Sequence, residues 1–215
     1  MTPQSPFDGF GSSLVTLSLH IASVDRDRER YRDLLLLADE QWDMVERYLR
    51  RGDMYAAFGW GDLGCASAES SGLTPMSGAE SELSVRPAPV LGCMIVTDEG
   101  VDASGARIAE VKNLAVAPEF QRRGVGRALL DFAATRYAPT HGVLQVGTGD
   151  SPLTVPFYET CGFARSHVLP NFFVDNYDHP IIEAGVQLRD MVYLRRALPS
   201  REDGAASSSL PKEGT

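Results

Sequence analysis

The chain has 215 residues, a formal net charge of −9 and three widely spaced cysteines, Cys65, Cys93 and Cys161. This length suggests one domain or at most two, and the acidic charge argues against general binding to nucleic acid. No apolar run approaches the roughly 20 residues that span a bilayer, and we expect neither a secretion signal nor a membrane partner. The odd, separated cysteines argue against a disulfide framework and a structural zinc site, so we expect a cytoplasmic protein without a metal.

Three stretches have the composition of segments outside a packed core. Residues 1–12, 66–89 and 199–215 are rich in small and polar residues and hold few large apolar groups. Such segments cannot offset the entropy that ordering them would cost. We therefore predict a single folded domain over 13–198, with a flexible N-terminus, a flexible insert at 66–89 and a disordered tail.

The folded region alternates between the apolar spacing of strands and that of helices. In chain order, the predicted elements are strand 14–21, helices 28–37 and 39–50, strands 54–60, 90–97 and 107–117, helix 124–137, strand 142–147, helix 152–161 and strands 163–169 and 186–195. Asp39 is the predicted N-cap of the second helix, since its side chain can accept from a free backbone N–H there. No internal repeat interrupts this order.

The order of the later elements predicts the fold class. Strand 107–117, helix 124–137 and strand 142–147 form a βαβ unit, whose strands run parallel through a right-handed crossover. Strands 163–169 and 186–195 are predicted to pair and close the sheet. The pattern indicates an α/β protein with one central mixed sheet and helices on both faces.

A glycine-punctuated turn, Q-R-R-G-V-G at 121–126, opens the helix of this unit. A strand, a tight turn and a helix N-terminus together form an anion site, where free N–H groups and the helix dipole converge on phosphate. Gly124 and Gly126 allow a ligand to approach where a Cβ would exclude it. Arg127 and Ala128 replace the Lys-Ser/Thr of a nucleotide-triphosphate loop, and the spacing differs from the dinucleotide fingerprint. The turn therefore predicts a site for another phosphorylated cofactor.

Q-x-x-G-x-G after a strand that ends at 113–116 resembles the acyl-coenzyme A motif of the GNAT N-acetyltransferase superfamily. The further matching stretches are 34–39, 48–49, 144–149, 157–163 and 190–194. The first two and the last resemble a little-characterised bacterial branch of the superfamily, and the resemblance spans about 31–196. It implies the GNAT fold, a central twisted mixed β-sheet flanked by helices on both faces.

The resemblance implies that acetyl-CoA is the acyl donor and that no metal takes part. Backbone N–H groups of the turn would hold the pyrophosphate, with charge-assisted contacts from arginines that could equally be ordinary solvated charges. The preceding strand would lend backbone groups to the pantetheine arm and the acetyl carbonyl. The predicted cofactor-binding residues are Leu114, Ala115, Val116, Gln121, Arg122, Arg123, Gly124, Val125, Gly126, Arg127, Ala128 and Asp150. Asp150 stands where many relatives have asparagine, so it keeps an acceptor and loses the amide donor.

Tyr158 and Glu110 are the catalytic residues that the resemblance implies. Tyr158 would be the general acid for the leaving thiolate, although a phenol titrates near ~10 and a thiol near ~8.5. The alternative is a structural tyrosine that packs against Phe163. Glu110 would be the base, directly or through a water, and the alternative is an ordinary exposed glutamate; we expect no salt bridge from it to Lys112. Pro156 is predicted to remove one helical hydrogen bond just before Tyr158.

The 170–186 loop is expected to form an acceptor pocket with the first two helices. Phe172, Phe173, Asp175 and Tyr177 are the predicted substrate-binding residues, because aromatic faces with carboxylates suit a cationic amine. A packed lid or a dimer contact would explain the same residues equally well.

Three classes of function remain open. The first is an N-acetyltransferase that transfers an acetyl group directly from acetyl-CoA to a primary amine of a small molecule, as a monomer or a homodimer. The second transfers it to a protein lysine or N-terminal amine, and the third is a non-catalytic acyl-CoA sensor. Cys161 suggests an acyl-cysteine route, but no histidine base lies near it in the sequence, so packing is its expected role.

Overall fold

The computed structural model describes residues 18–60 and 88–199. The segments predicted to be flexible or disordered fall outside these ranges, apart from 88–89 and 199, and so does the start of the first predicted strand. Those predictions therefore remain predictions. Within the described ranges, no helix is long and apolar enough to cross a membrane.

A mixed β-sheet forms the centre of the protein. The described strands are β1 Ser18–Ser23, β2 Asp53–Trp60, β3 Val90–Val101, β4 Arg107–Val116, β5 Val143–Gly149, β6 Ala164–Leu169, β7 Ile182–Glu183, β8 Val186–Gln187 and β9 Met191–Ala197. Seven of them form one sheet in the order β1-β2-β3-β4-β5-β9-β6, and β7 pairs with β8 separately. β4 and β5 are parallel, as the βαβ unit predicts, and β9 enters between β5 and β6, so β6 becomes an edge strand.

Helices cover both faces of the sheet. They are α1 Arg32–Leu35, α2 Trp42–Leu49, α3 Val125–Tyr137, α4 Thr154–Thr160 and α5 Phe172–Asn176. α1 and α2 bury Leu35, Val45 and Leu49 against one face, and α3 buries Leu129 and Leu130 with α4 against the other. Each fully buried side chain of this size contributes about 1.5–3 kcal/mol, so the two apolar layers hold the helices on the sheet.

Four local predictions are wrong. Gln41, with an extended backbone, is the N-cap of α2, which begins at Trp42, so Asp39 caps nothing. α4 begins at Thr154, which places Pro156 in its first turn. Because backbone N–H groups in a first turn have no intrahelical acceptor, the proline removes no helical bond. The predicted helix 28–37 is a 3-10 turn followed by the short α1, and α5 interrupts the predicted 170–186 loop.

β4 and β5 separate part-way along their length. They pair at four consecutive positions, the last of which joins Val111 to Val146. β4 has a bulge immediately afterwards, because Lys112 is an extra residue between Val111 and Asn113, which lie opposite consecutive residues of β3. The opening that results lies at the carboxyl ends of two parallel strands, beside the turn before α3, where ligands of α/β sheets usually bind.

Candidate active site

A cavity of about 580 Å³ extends from the opening between β4 and β5. Side chains from β4, β5, β9, α4, α5 and the segment around α2 line it. Both predicted catalytic residues, Glu110 and Tyr158, are among them. The fold therefore brings together two residues that lie 48 positions apart in the sequence.

The aromatic residues of α5 form one wall of this cavity. Phe172, Phe173 and Tyr177 line it, with the rings of Phe173 and Tyr177 stacked at a centroid distance of 5.6 Å. Asp175, the fourth predicted acceptor residue, is exposed and lies outside the lining. Beyond α5, the backbone N–H of Asp178 donates to Oε1 of Gln41 at 3.1 Å, which attaches this wall to the segment before α2.

Glu110 is 5% exposed, so it is not the ordinary surface glutamate that the sequence also allows. Nζ of Lys112 donates to its Oε1 at 2.6 Å, and Nε2 of Gln145 donates to its Oε2 at 2.7 Å. The expectation of no salt bridge to Lys112 is thus wrong. Residues two apart share a face of a strand, and the long lysine side chain folds back over the bulge to reach the carboxylate.

The residues that contact Glu110 make further polar contacts on both sides of it. Nε of Arg195 on β9 donates to Oε1 of Gln145 at 2.7 Å. Nζ of Lys112 lies 3.4 Å from Oε1 of Glu99. Glu110 thus lies between the cation of Lys112 and the amide of Gln145, which Arg195 contacts, so its buried charge is compensated within the protein.

Tyr158 is 8% exposed on α4. Its ring meets that of Phe163 edge-on at 5.8 Å, so the packing role that the sequence leaves open exists as well. Burial raises the pKa of Tyr158 well above its usual range, with smaller contributions from Cys161 and Glu183, and no hydrogen bond within the described residues opposes this. The phenol therefore keeps its proton throughout the neutral and mildly alkaline range, and its O–H is free to donate into the cavity.

The turn before α3 has the backbone of an anion site. Arg122 has a φ of 59° and Gly124 a φ of 86°, and Gly124 is the N-cap of α3. No side chain of the described residues caps the helix there, so the N–H groups of 125–127 begin it without an intrahelical acceptor. A Cβ on Gly126 would lie 3.1 Å from Cζ of Phe157, so this glycine also permits close packing of α3 on α4.

The three arginines of the turn differ in what they contact. Arg122 and Arg123 are exposed, and the guanidinium of Arg123 lies 5.8 Å from the ring centre of Phe120. Arg127 donates from Nη2 to the carbonyl oxygen of Thr160 at 2.8 Å. Arg127 is thus attached to the end of α4, whereas the other two are available to a ligand.

The backbone of β4 presents polar groups to the opening. Ala117 donates its N–H to the carbonyl of Leu91 on β3 at 2.9 Å. Because hydrogen-bonded and non-hydrogen-bonded positions alternate in an antiparallel pair, the backbone groups of Leu114 and Val116 point away from β3, toward the opening. The side chain of Gln121 donates to the carbonyl of Val116 at 3.1 Å, which leaves Leu114 as the more accessible of the two.

Three other predicted cofactor residues are engaged elsewhere. Asp150 is exposed and pairs with Arg165, Oδ1 to Nη2, at 2.8 Å. The N–H of Ala128 donates to the carbonyl of Gly124 at 2.9 Å, inside α3. Ala115 is 2% exposed and lies on the face covered by α1 and α2.

The far end of the cavity contains three polar residues to which the sequence analysis assigned no role in a site, Asp39, Tyr48 and Asn113, beside the predicted substrate-binding residue Tyr177. The hydroxyls of Tyr48 and Tyr177 donate to Oδ2 and Oδ1 of Asp39, each at 2.9 Å. Burial raises the pKa of Asp39 despite these two hydrogen bonds. Asn113 completes this end, and its Nδ2 lies 3.1 Å from the hydroxyl of Tyr48. Asp39 and Tyr48 fall within the stretches that resemble the bacterial branch of the superfamily. That resemblance was the signal in the sequence that could have pointed to these two residues.

Comparison with known proteins gives the family of this chain. A family model of the acetyltransferase (GNAT) domain matches residues 79–165. The uncharacterized N-acetyltransferase YvbK of Bacillus subtilis (strain 168) is 30% identical over 178 residues, which make up 82% of this chain and 94% of YvbK. The chain belongs to the GNAT superfamily of N-acetyltransferases.

Solved GNAT structures have the same fold. A GNAT family acetyltransferase from Elizabethkingia anophelis with acetyl-CoA bound has a TM-score of 0.64 and 27% identity, and the match covers 84% of this chain and 98% of that one. A Bacillus subtilis acetyltransferase in complex with CoA has a TM-score of 0.63 and 28% identity, with 85% and 100% covered. The predicted superfamily and the predicted mixed sheet with helices on both faces are thereby confirmed.

Proposed function

We propose that this GNAT enzyme transfers an acetyl group from acetyl-CoA directly to the primary amine of a small molecule. The observation that carries the proposal is the cavity of about 580 Å³, which Glu110 and Tyr158 both line. It adjoins the opening between two parallel strands, and the turn before α3 contacts the end of the first of these strands, where Gln121 donates to Val116. The presence of acetyl-CoA or CoA in two structures that are 27% and 28% identical to this chain supports the choice of donor.

In this proposal, the turn before α3 binds the pyrophosphate. The N–H groups of 125–127 donate to phosphate oxygens, and the exposed side chains of Arg122 and Arg123 add charge. The backbone of Leu114 holds the pantetheine arm in the opening beside β4. Arg127 acts indirectly, because its bond to Thr160 fixes α3 against α4.

Glu110 and Tyr158 then carry the two proton transfers. Glu110 accepts a proton from the ammonium of the acceptor, directly or through a water, since its oxygens retain lone pairs beyond those used by Lys112 and Gln145. The free amine attacks the thioester carbon, a C–N bond forms and the C–S bond breaks, and Tyr158 donates its proton to the departing sulfur. The nitrogen loses its second proton to water, and Tyr158 regains a proton from solvent. Cys161 takes no part, because it is 3% exposed and burial raises the pKa of its thiol.

The wall formed by α5 favours a small acceptor over a protein. Its attachment to the segment before α2, through Tyr177 to Asp39 and Asp178 to Gln41, leaves a pocket rather than an open groove. An extended peptide would need that attachment to break. On the basis of the free thiols Cys93 and Cys161, we also place the enzyme in a reducing cytoplasm, as a monomer or a homodimer.

The test is the release of CoA from acetyl-CoA in the presence of small primary amines, compared with a lysine peptide and a peptide with a free N-terminus. We expect turnover with small amines that falls sharply in Tyr158→Phe. Faster turnover of either peptide would support a protein acetyltransferase instead. Saturable binding of acetyl-CoA without turnover of any acceptor would support a sensor.

A further inference from the structure

The cavity has a second polar end, which the transfer chemistry described above does not use. Asp39, Tyr48, Asn113 and Tyr177 form this end, which we call the distal site. We propose that the distal site binds a second cationic group of the acceptor, so that the preferred acceptor is a flexible aliphatic diamine. This inference rests on the proposed function and names the substrate class of the same cavity.

The hydrogen-bond donors of the distal site are already used. The hydroxyls of Tyr48 and Tyr177 both donate to the carboxylate of Asp39, at 2.9 Å each. What remains for a ligand is the set of acceptor lone pairs on Asp39 and the tyrosine oxygens. A ligand group that binds here must therefore donate hydrogen bonds.

Asn113 adds an acceptor that has no partner. It is 3% exposed, and its Nδ2 donates to the carbonyl of Leu35 at 3.0 Å and to the hydroxyl of Tyr48 at 3.1 Å. Because the carbonyl oxygen of Leu35 only accepts, Nδ2 of Asn113 must be the atom that faces it, and the side-chain amide cannot be flipped. Oδ1 therefore points away from Leu35. Within the described residues this buried Oδ1 makes no hydrogen bond. Because Oδ1 is itself buried, it lies beneath the cavity wall, and the acceptors that a ligand meets first are those of Asp39 and the two tyrosines.

The charges at this end also favour a cation. Burial raises the pKa of Asp39, which means that the two tyrosine hydroxyls do not fully compensate its charged form. Glu40 lines the cavity beside Asp39, and the ring of Tyr177 offers an aromatic face. Arg47, exposed on the cavity side of α2, and Arg51, which pairs with Glu99, are opposing charges that line the same cavity.

The two ends of the cavity are separated by a distance that a short diamine spans. Glu110 and Asn113 lie on the same strand, three positions apart, with the bulge at Lys112 between them. Their partners on β3, Thr97 and Ile95, lie two positions apart, so at about 3.3 Å per residue this separation is roughly 7 Å. With one nitrogen of the diamine at Glu110, its second nitrogen would reach Asp39. A monoamine would leave the acceptors of the distal site without a hydrogen-bond donor. An acceptor molecule that ends in a carboxylate would place a second negative charge beside Asp39.

The experiment compares three probes that differ at one end: cadaverine, pentylamine and ε-aminocaproate. The second end is an ammonium, a methyl and a carboxylate, respectively. The CoA-release assay should give cadaverine a kcat/KM at least about tenfold above that of pentylamine, the size of one charge-assisted hydrogen bond, and should give ε-aminocaproate the lowest value. Turnover of pentylamine at a rate equal to that of cadaverine would overturn the inference while the proposed function stands.

Two variants with opposite expected effects identify the distal site. Asp39→Asn, which keeps the shape of the side chain, should remove most of the preference for cadaverine over pentylamine. Arg47→Gln, an exposed position that leaves the core intact, should increase that preference. If no amine releases CoA, the proposed function fails, and calorimetric titration of cadaverine and pentylamine into the CoA-saturated protein still decides the inference. Equal affinities there, or no response to Asp39→Asn, would overturn it.

Discussion

Lys112 and Glu110 form an ion pair within a single strand, with Nζ 2.6 Å from Oε1 on the same face of β4. Gln145 holds the other carboxylate oxygen at 2.7 Å, so the carboxylate is fixed in one orientation inside the cavity. A fixed, compensated carboxylate beside a pocket suits a proton acceptor, because it needs no rearrangement at the moment of reaction.

We therefore expect Glu110→Gln to lower kcat by about 10²-fold, a typical loss when a general base is removed. Its affinity for acetyl-CoA should change little, since the side chain faces the acceptor. The matched control is Glu99→Gln, which alters the same ion network without reaching the cavity lining and should retain most of the activity. A Glu110→Gln enzyme with nearly normal kcat would assign proton removal to another group or to water.

Tyr158→Phe should lower kcat by roughly 10²-fold or more while the Kd for acetyl-CoA, measured by calorimetry, stays nearly constant. Because burial raises the pKa of Tyr158, the wild-type rate should show no loss that is due to ionisation of this phenol below pH ~10. Parallel losses in kcat and in acetyl-CoA affinity would instead assign Tyr158 to cofactor binding.

Substitutions of Arg122 and Arg127 should affect different properties of the protein. Arg122→Ala should weaken acetyl-CoA binding by several-fold, most strongly at low salt, because an exposed charge is screened by ions. Arg127→Ala removes the solvent-exposed bond to the carbonyl of Thr160 and should lower the free energy of unfolding by about 0.5–1 kcal/mol. Denaturant unfolding and calorimetry measure the two quantities. If Arg127→Ala weakened acetyl-CoA binding and Arg122→Ala lowered the stability instead, Arg127 would be the arginine that turns toward the phosphates.

Stability should fall at alkaline pH through Tyr193. Burial first, then the nearby carboxylates Glu110 and Glu99, raise the pKa of Tyr193 to about 12. In the unfolded chain a tyrosine titrates near ~10, so the folded state binds more protons above that pH. Its stabilising contribution is complete below pH ~10 and is lost as pH rises through the folded pKa. Tyr193→Phe should flatten this part of the curve of unfolding free energy against pH, and an unchanged slope would contradict the assignment.

The sequence predicts best what depends on local pattern. The βαβ unit, the turn at 121–126 and the parallel pairing of β4 with β5 all follow from contiguous signals, and the structure has each of them. The residues that share the cavity with Glu110 were harder to foresee. Tyr177 contacts Asp39 across 138 positions of sequence, and no periodicity reports such a pair.

Two errors have a common physical origin. The N-cap prediction for Asp39 considered only the backbone that follows it, whereas two distant tyrosines use its carboxylate instead. The prediction for Lys112 assumed a regular strand, whereas the bulge places Lys112 and Glu110 within contact. In both cases the actual geometry departs from the regular element that the prediction assumed.

Calorimetric titration of the purified protein with acetyl-CoA, with NADH and ATP as controls, tests the central claim most directly. The account predicts saturable binding at one site for acetyl-CoA and none for the two controls, since the turn before α3 matches neither a dinucleotide nor a triphosphate loop. Absence of acetyl-CoA binding, or equal binding of all three, would contradict the assignment of this cavity to acetyl transfer.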